Sequence, residues 1–229
     1  MKSIKKNPLK EKITSYIEYL SKQPNGFAYK EQKQEIQTTT QPPEKEKCLK
    51  QLFFQYQNCQ KCPLATQGRA NVVFGHGNPN TKLMFVGEGP GRDEDLQALP
   101  FVGRAGQLLT KIINAMNLKR EDVYITNVVK CRPPENRAPL PEESNTCKKL
   151  ILFKEIEIIN PKIICALGAS ATQAILGDDF TISKSRGLFF QFENKLVIPT
   201  FHPAYLLRNP PAKRLVWEDM QKILEKLKQ

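Results

Sequence analysis

Four short apolar runs constrain the fold of this chain more than any other feature: residues 82–86 (KLMFV), 123–126 (VYIT), 162–167 (KIICAL) and 195–199 (KLVIP). Successive strand side chains point to opposite faces, so a run without polar alternation must be covered on both faces, as in a parallel sheet. Helical periodicity falls between the runs, at 106–116, 142–159 and 169–176, and a last helix runs from about 211 to the C-terminus. Strands alternating with helices predict a three-layer α/β/α sandwich around a central, mostly parallel four-stranded sheet. With 229 residues, 40% of them hydrophobic, the chain can fill one such core and still carry a tail.

The residues just past each run carry the chemistry. Gly87-Glu88-Gly89-Pro90-Gly91 comes after the first, Asn127 after the second, Gly168 after the third and Phe201-His202-Pro203 after the fourth. Open parallel sheets bind ligands in the crevice beyond the carboxyl ends of their strands. Glu88, Asn127 and His202, far apart in sequence, are therefore expected at one rim.

The glycine-rich turn does not fit a nucleotide loop. A dinucleotide fingerprint needs glycine where Arg92 stands, and no Gly-Lys-Ser/Thr comes after it for a P-loop. Asp93, Glu94 and Asp95 would also repel phosphate. The small residues make either a tight strand-to-helix turn or a backbone that a flat neutral ligand can approach closely. Asn127 either caps a turn or, having an amide donor and acceptor, reads a base edge that bears a carbonyl and an N–H. Phe101 is either core or a stacking face for a planar ring. His202, one of two histidines, lies between a strand and a proline. That place suits a donor to developing negative charge. His76, flanked by glycines, reads as a loop residue. In the segment 202–210 (HPAYLLRNP) the alternatives are a helix start, or an apolar wedge of Leu206 and Leu207 entering a base stack with Arg208 on phosphate.

Four of the six cysteines have ligand spacing. Cys59 and Cys62 form a C-x2-C pair, and Cys131 and Cys147, with fifteen residues between them, can close a site around a cluster or a zinc ion. The cysteines alone do not separate these two. Cys48 and Cys165 are expected not to be ligands, Cys165 because it lies within an apolar run. With no secretory signal, metal or redox chemistry in a cytoplasmic protein is a better reading than a disulfide scaffold. Lys61, Lys130, Arg132, Lys148 and Lys149 lie among the ligands and suggest a corner that faces phosphate.

The formal net charge is +12, which suits either a solvated lysine-rich surface or a polyanion partner. No apolar run is long enough to cross a membrane. Residues 1–46, rich in Lys, Gln, Glu and Thr, read as a basic polar extension, partly disordered or holding one helix near 13–20; the globular domain is expected at 47–229. Nothing signals oligomerisation, so a monomer is the expectation.

Taken in order, the C-x2-C pair, Gly-Glu-Gly-Pro-Gly with Glu94-Asp95, PFVGRAGQLL at 100–109, YITNVVKCRPPENR at 124–137, Cys147 and FHPAYLLRNP at 201–210 resemble the family 4 uracil-DNA glycosylases, the iron–sulfur branch of the uracil glycosylase superfamily. The resemblance covers about Cys59 to Trp217. It implies a four-iron, four-sulfur (4Fe-4S) cluster on Cys59, Cys62, Cys131 and Cys147, with a structural role. It further implies a uracil pocket of Glu88, Gly89 and Pro90, with stacking by Phe101, base reading by Asn127 and leaving-group stabilisation by His202. The partner would be uracil-containing DNA, single- or double-stranded.

The implied reaction fits these residue types. A base inside a duplex must be everted, at a cost of about a few kcal/mol. The N-glycosidic bond then breaks with positive charge on the sugar and negative charge on uracil, which a donor such as His202 stabilises. Water leaves an abasic site, and no well-placed lysine suggests strand cleavage. The best-known branch positions water with an aspartate where this chain has Gly89; Glu88 or Asn136 is expected to serve instead. Glu94 is the candidate wall against thymine's methyl group. The covalent-trapping branch carries a histidine in an arginine-rich insertion that is missing after Cys131-Arg132-Pro133-Pro134. The rival reading is a non-catalytic nucleic-acid-binding module stapled by a four-cysteine zinc site; a nucleotide-using enzyme rests on the glycine loop alone.

Overall fold

The computed structural model describes residues 44–229. The extension expected at 1–46, including its helix near 13–20, thus lies almost wholly outside the described residues.

The sheet has six strands: β1 (His76–Gly77), β2 (Leu83–Gly87), β3 (Tyr124–Asn127), β4 (Ile163–Leu167), β5 (Phe190–Phe192) and β6 (Lys195–Thr200), in the order β1-β3-β2-β4-β6-β5. The four expected runs form its parallel centre, β3-β2-β4-β6. The expected count of four is corrected by β1 and β5, which pair antiparallel on the two edges. Both are too short, at two and three residues, to carry a readable alternation. Every residue of β2, β3 and β4 is buried, as their unbroken apolar composition requires.

Strand alternation sorts the core into two layers. Met84, Val86, Ile164, Ala166 and Val197 face one cluster. It is completed by α1 (Glu44–Tyr56), α5 (Phe153–Ile159) and α6 (Ala169–Leu176). Leu83, Phe85, Ile125, Ile163 and Ile198 face the other. There they meet α3 (Arg104–Ala115), α8 (Pro203–Arg208) and α9 (Lys213–Lys228). Cys165 is fully buried in this second layer, as expected of a non-ligand.

Shorter helices complete the chain: α2 (Arg92–Gln97), α4 (Pro141–Cys147) and α7 (Ile182–Ser185). The single helix expected over 142–159 is broken by a π-helical turn, Lys148–Leu152, directly after Cys147. Such turns shift the register of the side chains beyond them and recur at functional sites. Among the described residues no helix is long and apolar enough to cross a membrane.

From β2 the chain moves to β3 on one side and then returns to β4 on the other. The strand order therefore switches at β2, where ligands of open parallel sheets bind. Glu88 and Asn127 leave the sheet on adjacent strands at this point.

Candidate active site and cysteine pocket

Register puts Gly87 of β2 opposite Asn127 of β3. A Cβ on Gly87 would collide with both the Phe101 ring and Asn127 Oδ1. The missing side chain is what lets an aromatic face and a buried amide meet at the end of β2. Asn127 is 2% exposed, and its Oδ1 is a buried acceptor with no hydrogen-bond partner. Leaving such a group unpaired costs about 1–3 kcal/mol. An unpaired acceptor of this kind suits a donor that arrives from outside.

His202 reaches the same place from β6. Its ring lies 5.6 Å from the Phe101 ring, centroid to centroid. At the end of β4, Gly168 has φ +88°, and a Cβ there would stand 3.0 Å from His202 Cβ, so glycine makes room for the imidazole. His202 also starts α8: its Nδ1 accepts from the Ala204 N–H at 3.1 Å. Burial first, then the Arg208 charge, push its pKa down to about 4. The ring is thus neutral near pH 7. Because Nδ1 is the acceptor, Nε2 carries the proton and is a fixed donor.

Phe101 is held in a left-handed conformation, φ +56°, which costs about 1–3 kcal/mol outside glycine. Its surroundings impose it. Arg120 Nη1 donates to the Phe101 carbonyl at 3.0 Å, and Nη2 donates to the Pro100 carbonyl. Gly106 of α3 packs so closely on the Phe101 backbone that a Cβ there would overlap it. On the other side of the loop, Glu94 accepts from the N–H groups of Val102 (2.9 Å), Gly103 (2.8 Å) and Gly91 (3.1 Å). The carboxylate of Glu94, the expected wall against thymine's methyl group, instead fastens the loop that presents Phe101.

Glu88 Oε2 accepts from Ser170 Oγ in the first turn of α6, while no hydrogen bond engages Oε1 among the described residues. Pro90 is buried in the same turn. A Cβ on Gly89 would stand 2.7 Å from Val129 Cγ2, a fully buried methyl, so no larger residue fits without a shift. Asn136 is exposed, with φ +57°, and its Oδ1 accepts from Arg132 Nε at 2.8 Å. Among the described residues no hydrogen bond joins it to Glu88, Phe101, Asn127 or His202. Of the sequence-expected pocket, the structure sets Phe101, Asn127 and His202 together at the strand ends, carries Glu88 and Gly89 onward from the same strand end toward Ser170 and Val129, and leaves Asn136 on the outer loop.

On α8, Leu206 is 0% exposed and belongs to the core, which corrects its assignment to a DNA wedge. Leu207 and Arg208 are exposed, and Tyr205 is exposed beside them.

The four cysteines line one second pocket, floored by Val72, Leu150 and Ile151. Cys59 lies beyond α1, Cys62 precedes a 3-10 turn at Pro63–Ala65, Cys131 lies beyond β3 and Cys147 ends α4. Arg69 Nη1 donates to Cys131 Sγ at 2.7 Å, and the Lys130 N–H donates to Cys147 Sγ at 3.3 Å. Burial pushes the thiols up, Cys131 to about 11 and Cys147 to about 12. Left as thiols, both would stay neutral near pH 7; only a metal that displaces their protons makes them thiolates. Among the described residues no three such side chains gather closely enough to hold a single metal ion. Four soft donors around one pocket, with N–H groups aimed at sulfur, nevertheless fit a larger inorganic core whose ligands sit on separate metals.

The loop between Cys131 and Cys147 is strapped down. Arg137 makes a bidentate pair with Glu143 (2.7 and 2.8 Å), which also accepts from the Leu140 N–H at 2.7 Å. The Arg137 hydrogen bond is the main reason the Glu143 carboxyl stays below its usual range. Lys61 and Lys149 are exposed near this pocket. Lys130 is 0% exposed, so it cannot face phosphate as its neighbours can.

Sequence reasoning missed Ser170 and Arg120, and expected Lys130 on the surface facing phosphate. Ser170 had a usable signal, two residues beyond the Gly168 that ends β4. Arg120 and Lys130 had none, because only the fold shows that their charged ends turn inward.

The strand-end crevice thus holds an unpaired amide, an aromatic ring and a neutral imidazole. A family model described as the uracil DNA glycosylase superfamily matches residues 74–228. The type-4 uracil-DNA glycosylase of Thermotoga maritima is 52% identical over 168 residues, 72% of this chain and 86% of that protein. The type-4 uracil-DNA glycosylase of Saccharolobus solfataricus is 45% identical over 178 residues, 74% of this chain and 82% of that protein. A type-5 uracil-DNA glycosylase of Pyrobaculum aerophilum is 28% identical over 208 residues. The chain belongs to the uracil-DNA glycosylase superfamily and, within it, to the type-4 family.

Proposed function

We propose that the chain is a monofunctional uracil-DNA glycosylase that everts uracil from DNA and hydrolyses its N-glycosidic bond, leaving an abasic site for base excision repair. The observation that carries this reading is the unpaired, buried Asn127 Oδ1 beside the Phe101 ring. Uracil stacks on Phe101 and gives its N3–H to that oxygen, while the Asn127 NH2 group donates to the ring carbonyl next to it. Cytosine presents the opposite pattern, an acceptor at N3 and a donor beside it, and would leave the amide opposed on both positions.

His202 Nε2–H donates to the other uracil carbonyl, where negative charge grows as the bond breaks. One preorganised donor of this kind is worth about 3–4 kcal/mol. A neutral imidazole gives this hydrogen bond without surrendering its proton. Glu88, oriented by Ser170, has Oε1 free to hold the attacking water. Asn136 has its amide oxygen on Arg132, which weighs for Glu88 in this role. Lys130 is enclosed by its partners and unavailable for a Schiff base, which supports the absence of strand cleavage.

Leu207 and Arg208, with Tyr205, form the surface that meets the opened DNA. Cys59, Cys62, Cys131 and Cys147 would hold a 4Fe-4S cluster. When bound, it supplies structural cross-linking between the segment after α1 and the loop from Cys131 to Cys147. We place the enzyme in the cytoplasm, as a monomer, with residues 47–229 as its catalytic domain.

The test is purified protein on an oligonucleotide with one uracil, treated afterwards with alkali. Cleavage at uracil only after alkali is expected; an unreacted oligonucleotide would overturn the reading. Protein purified without oxygen should be brown, with broad absorbance near ~400 nm, whereas a colourless zinc-loaded protein would remove the cluster, because zinc's filled d shell is spectroscopically silent.

A further inference from the structure

Lys130 is a strongly ionic group beside the pocket that uracil excision does not use. It and Glu155 are both 0% exposed and form an ion pair of 2.6 Å. The ammonium also donates to Thr126 Oγ1 and, at 2.6 Å, to the backbone carbonyl of Asn127. Glu155 is fixed in turn. Its Oε2 accepts from Thr126 Oγ1 at 2.8 Å, and its Oε1 accepts from the Gly75 N–H at 2.9 Å. The main chain of Lys130 faces the other pocket: its N–H donates to Cys147 Sγ, and Cys131 is the next residue.

We propose that Lys130, seated by Glu155, is a positioning residue for base selection: it pins the peptide after Asn127 and so aims the Asn127 amide, and it ties that aim to the cysteine pocket. This rests on the uracil-reading role proposed for Asn127. The carbonyl that Lys130 holds is Asn127's own, so the bond fixes the Asn127 backbone torsion from which its side chain departs. Stability alone does not call for this arrangement. A buried ion pair is often replaceable by apolar residues without loss, whereas removing one partner is costly. What apolar residues cannot supply is a donor to the Asn127 carbonyl. The grip matters because Asn127 Oδ1 must stay aimed while it has no partner of its own.

The test uses the full chain with its cysteine site loaded. The double variant Lys130→Met/Glu155→Gln removes both charges together and so avoids an orphaned one. Four quantities are read: Tm, absorbance near ~400 nm, inhibition by free uracil, and the ratio of uracil to cytosine excision per active molecule. Tm and absorbance are expected to stay near wild type, while uracil inhibition weakens by about tenfold or more and the excision ratio falls, as a misaimed contact requires. A merely structural role would instead lower Tm and absorbance and leave the constants of the surviving active molecules unchanged. Should the double variant not fold, Thr126→Val decides. It keeps the shape of β3 and deletes the hydroxyl that holds the ammonium and donates to Glu155, and is expected to lower Tm by a few degrees while weakening uracil inhibition of the folded protein about two- to fivefold. Folded variants with wild-type inhibition and selectivity overturn the proposal. Wild-type protein that fails to excise uracil in the same assay sinks the catalytic reading itself, a distinct result.

Discussion

The strand-end pocket and the cysteine pocket both gather residues from distant parts of the chain, by different means. In the first, Gly87, Asn127 and His202 each stand at or within two residues of the end of a parallel strand, so the hydrogen-bonded ladder sets their spacing. Glycine at 87, 89 and 168 supplies the room. In the second, none of the four cysteines lies on a strand. The cysteines hang from helix ends and loops, and side chains such as Arg69 and the Arg137–Glu143 pair hold those loops in place. The ladder fixes where each of those side chains starts, whereas loops need cross-links to be placed at all. The proposed inorganic core would supply such a cross-link in the second pocket, and the first can stay a free crevice.

The contrast is open to attack, most forcefully at His202. His202→Ala should lower the single-turnover rate by about a hundredfold or more through loss of one preorganised donor. Absorbance near ~400 nm should be unchanged and Tm nearly so. If Tm collapsed, the strand-end pocket would be structural after all. Cys147→Ala should do the reverse, abolishing that absorbance and lowering Tm by about 10 °C, because metal-binding energy is folding energy. Its rate per folded molecule should fall less than that of His202→Ala.

A pH titration sharpens the account of the first pocket. With the His202 pKa at about 4, kcat/KM should stay level from neutral pH down to near 5 and fall as pH drops through about 4. Protonation would put a hydrogen on Nδ1, facing the Ala204 N–H, and unseat the ring. His202→Gln, which cannot titrate, should lack that acid limb. Stability has the same sign: an unfolded imidazole takes its proton near pH 6.5 and the folded one only near 4, so stability is lost as pH falls through that window.

Two smaller effects probe the loops. Arg137→Ala should lower Tm by a few degrees at most, since the guanidinium is one-third exposed while Glu143 is enclosed. Arg208→Ala should reduce the salt dependence of DNA binding by about one phosphate's worth, equally for all sequences.

The parallel centre of the sheet was legible because fully buried strands must be apolar throughout, and all four runs lie within a residue or so of their strands. The edge strands were not, being two or three residues long and only half covered. That Asn127 and His202 would stand near one another was readable from strand ends alone, but the roles of charged residues were not. Glu94 and Lys130 look like surface groups in sequence, yet both turn inward: Glu94 accepts from three amides on the two sides of α2, and Lys130 pairs with Glu155 and the Asn127 carbonyl. Leu206 and Leu207 are adjacent and identical in type, and only helix geometry decides that the first is core and the second surface. The π turn after Cys147 likewise has no signature in an otherwise continuous helical pattern.

The Val129 methyl that confronts Gly89 governs how this enzyme can change. An acid introduced at residue 89 to take over the handling of water would have to displace a side chain from the sealed interior. A switch in hydrolytic strategy therefore requires two coordinated substitutions just past neighbouring strands, and Val129→Ala is the one that must come first.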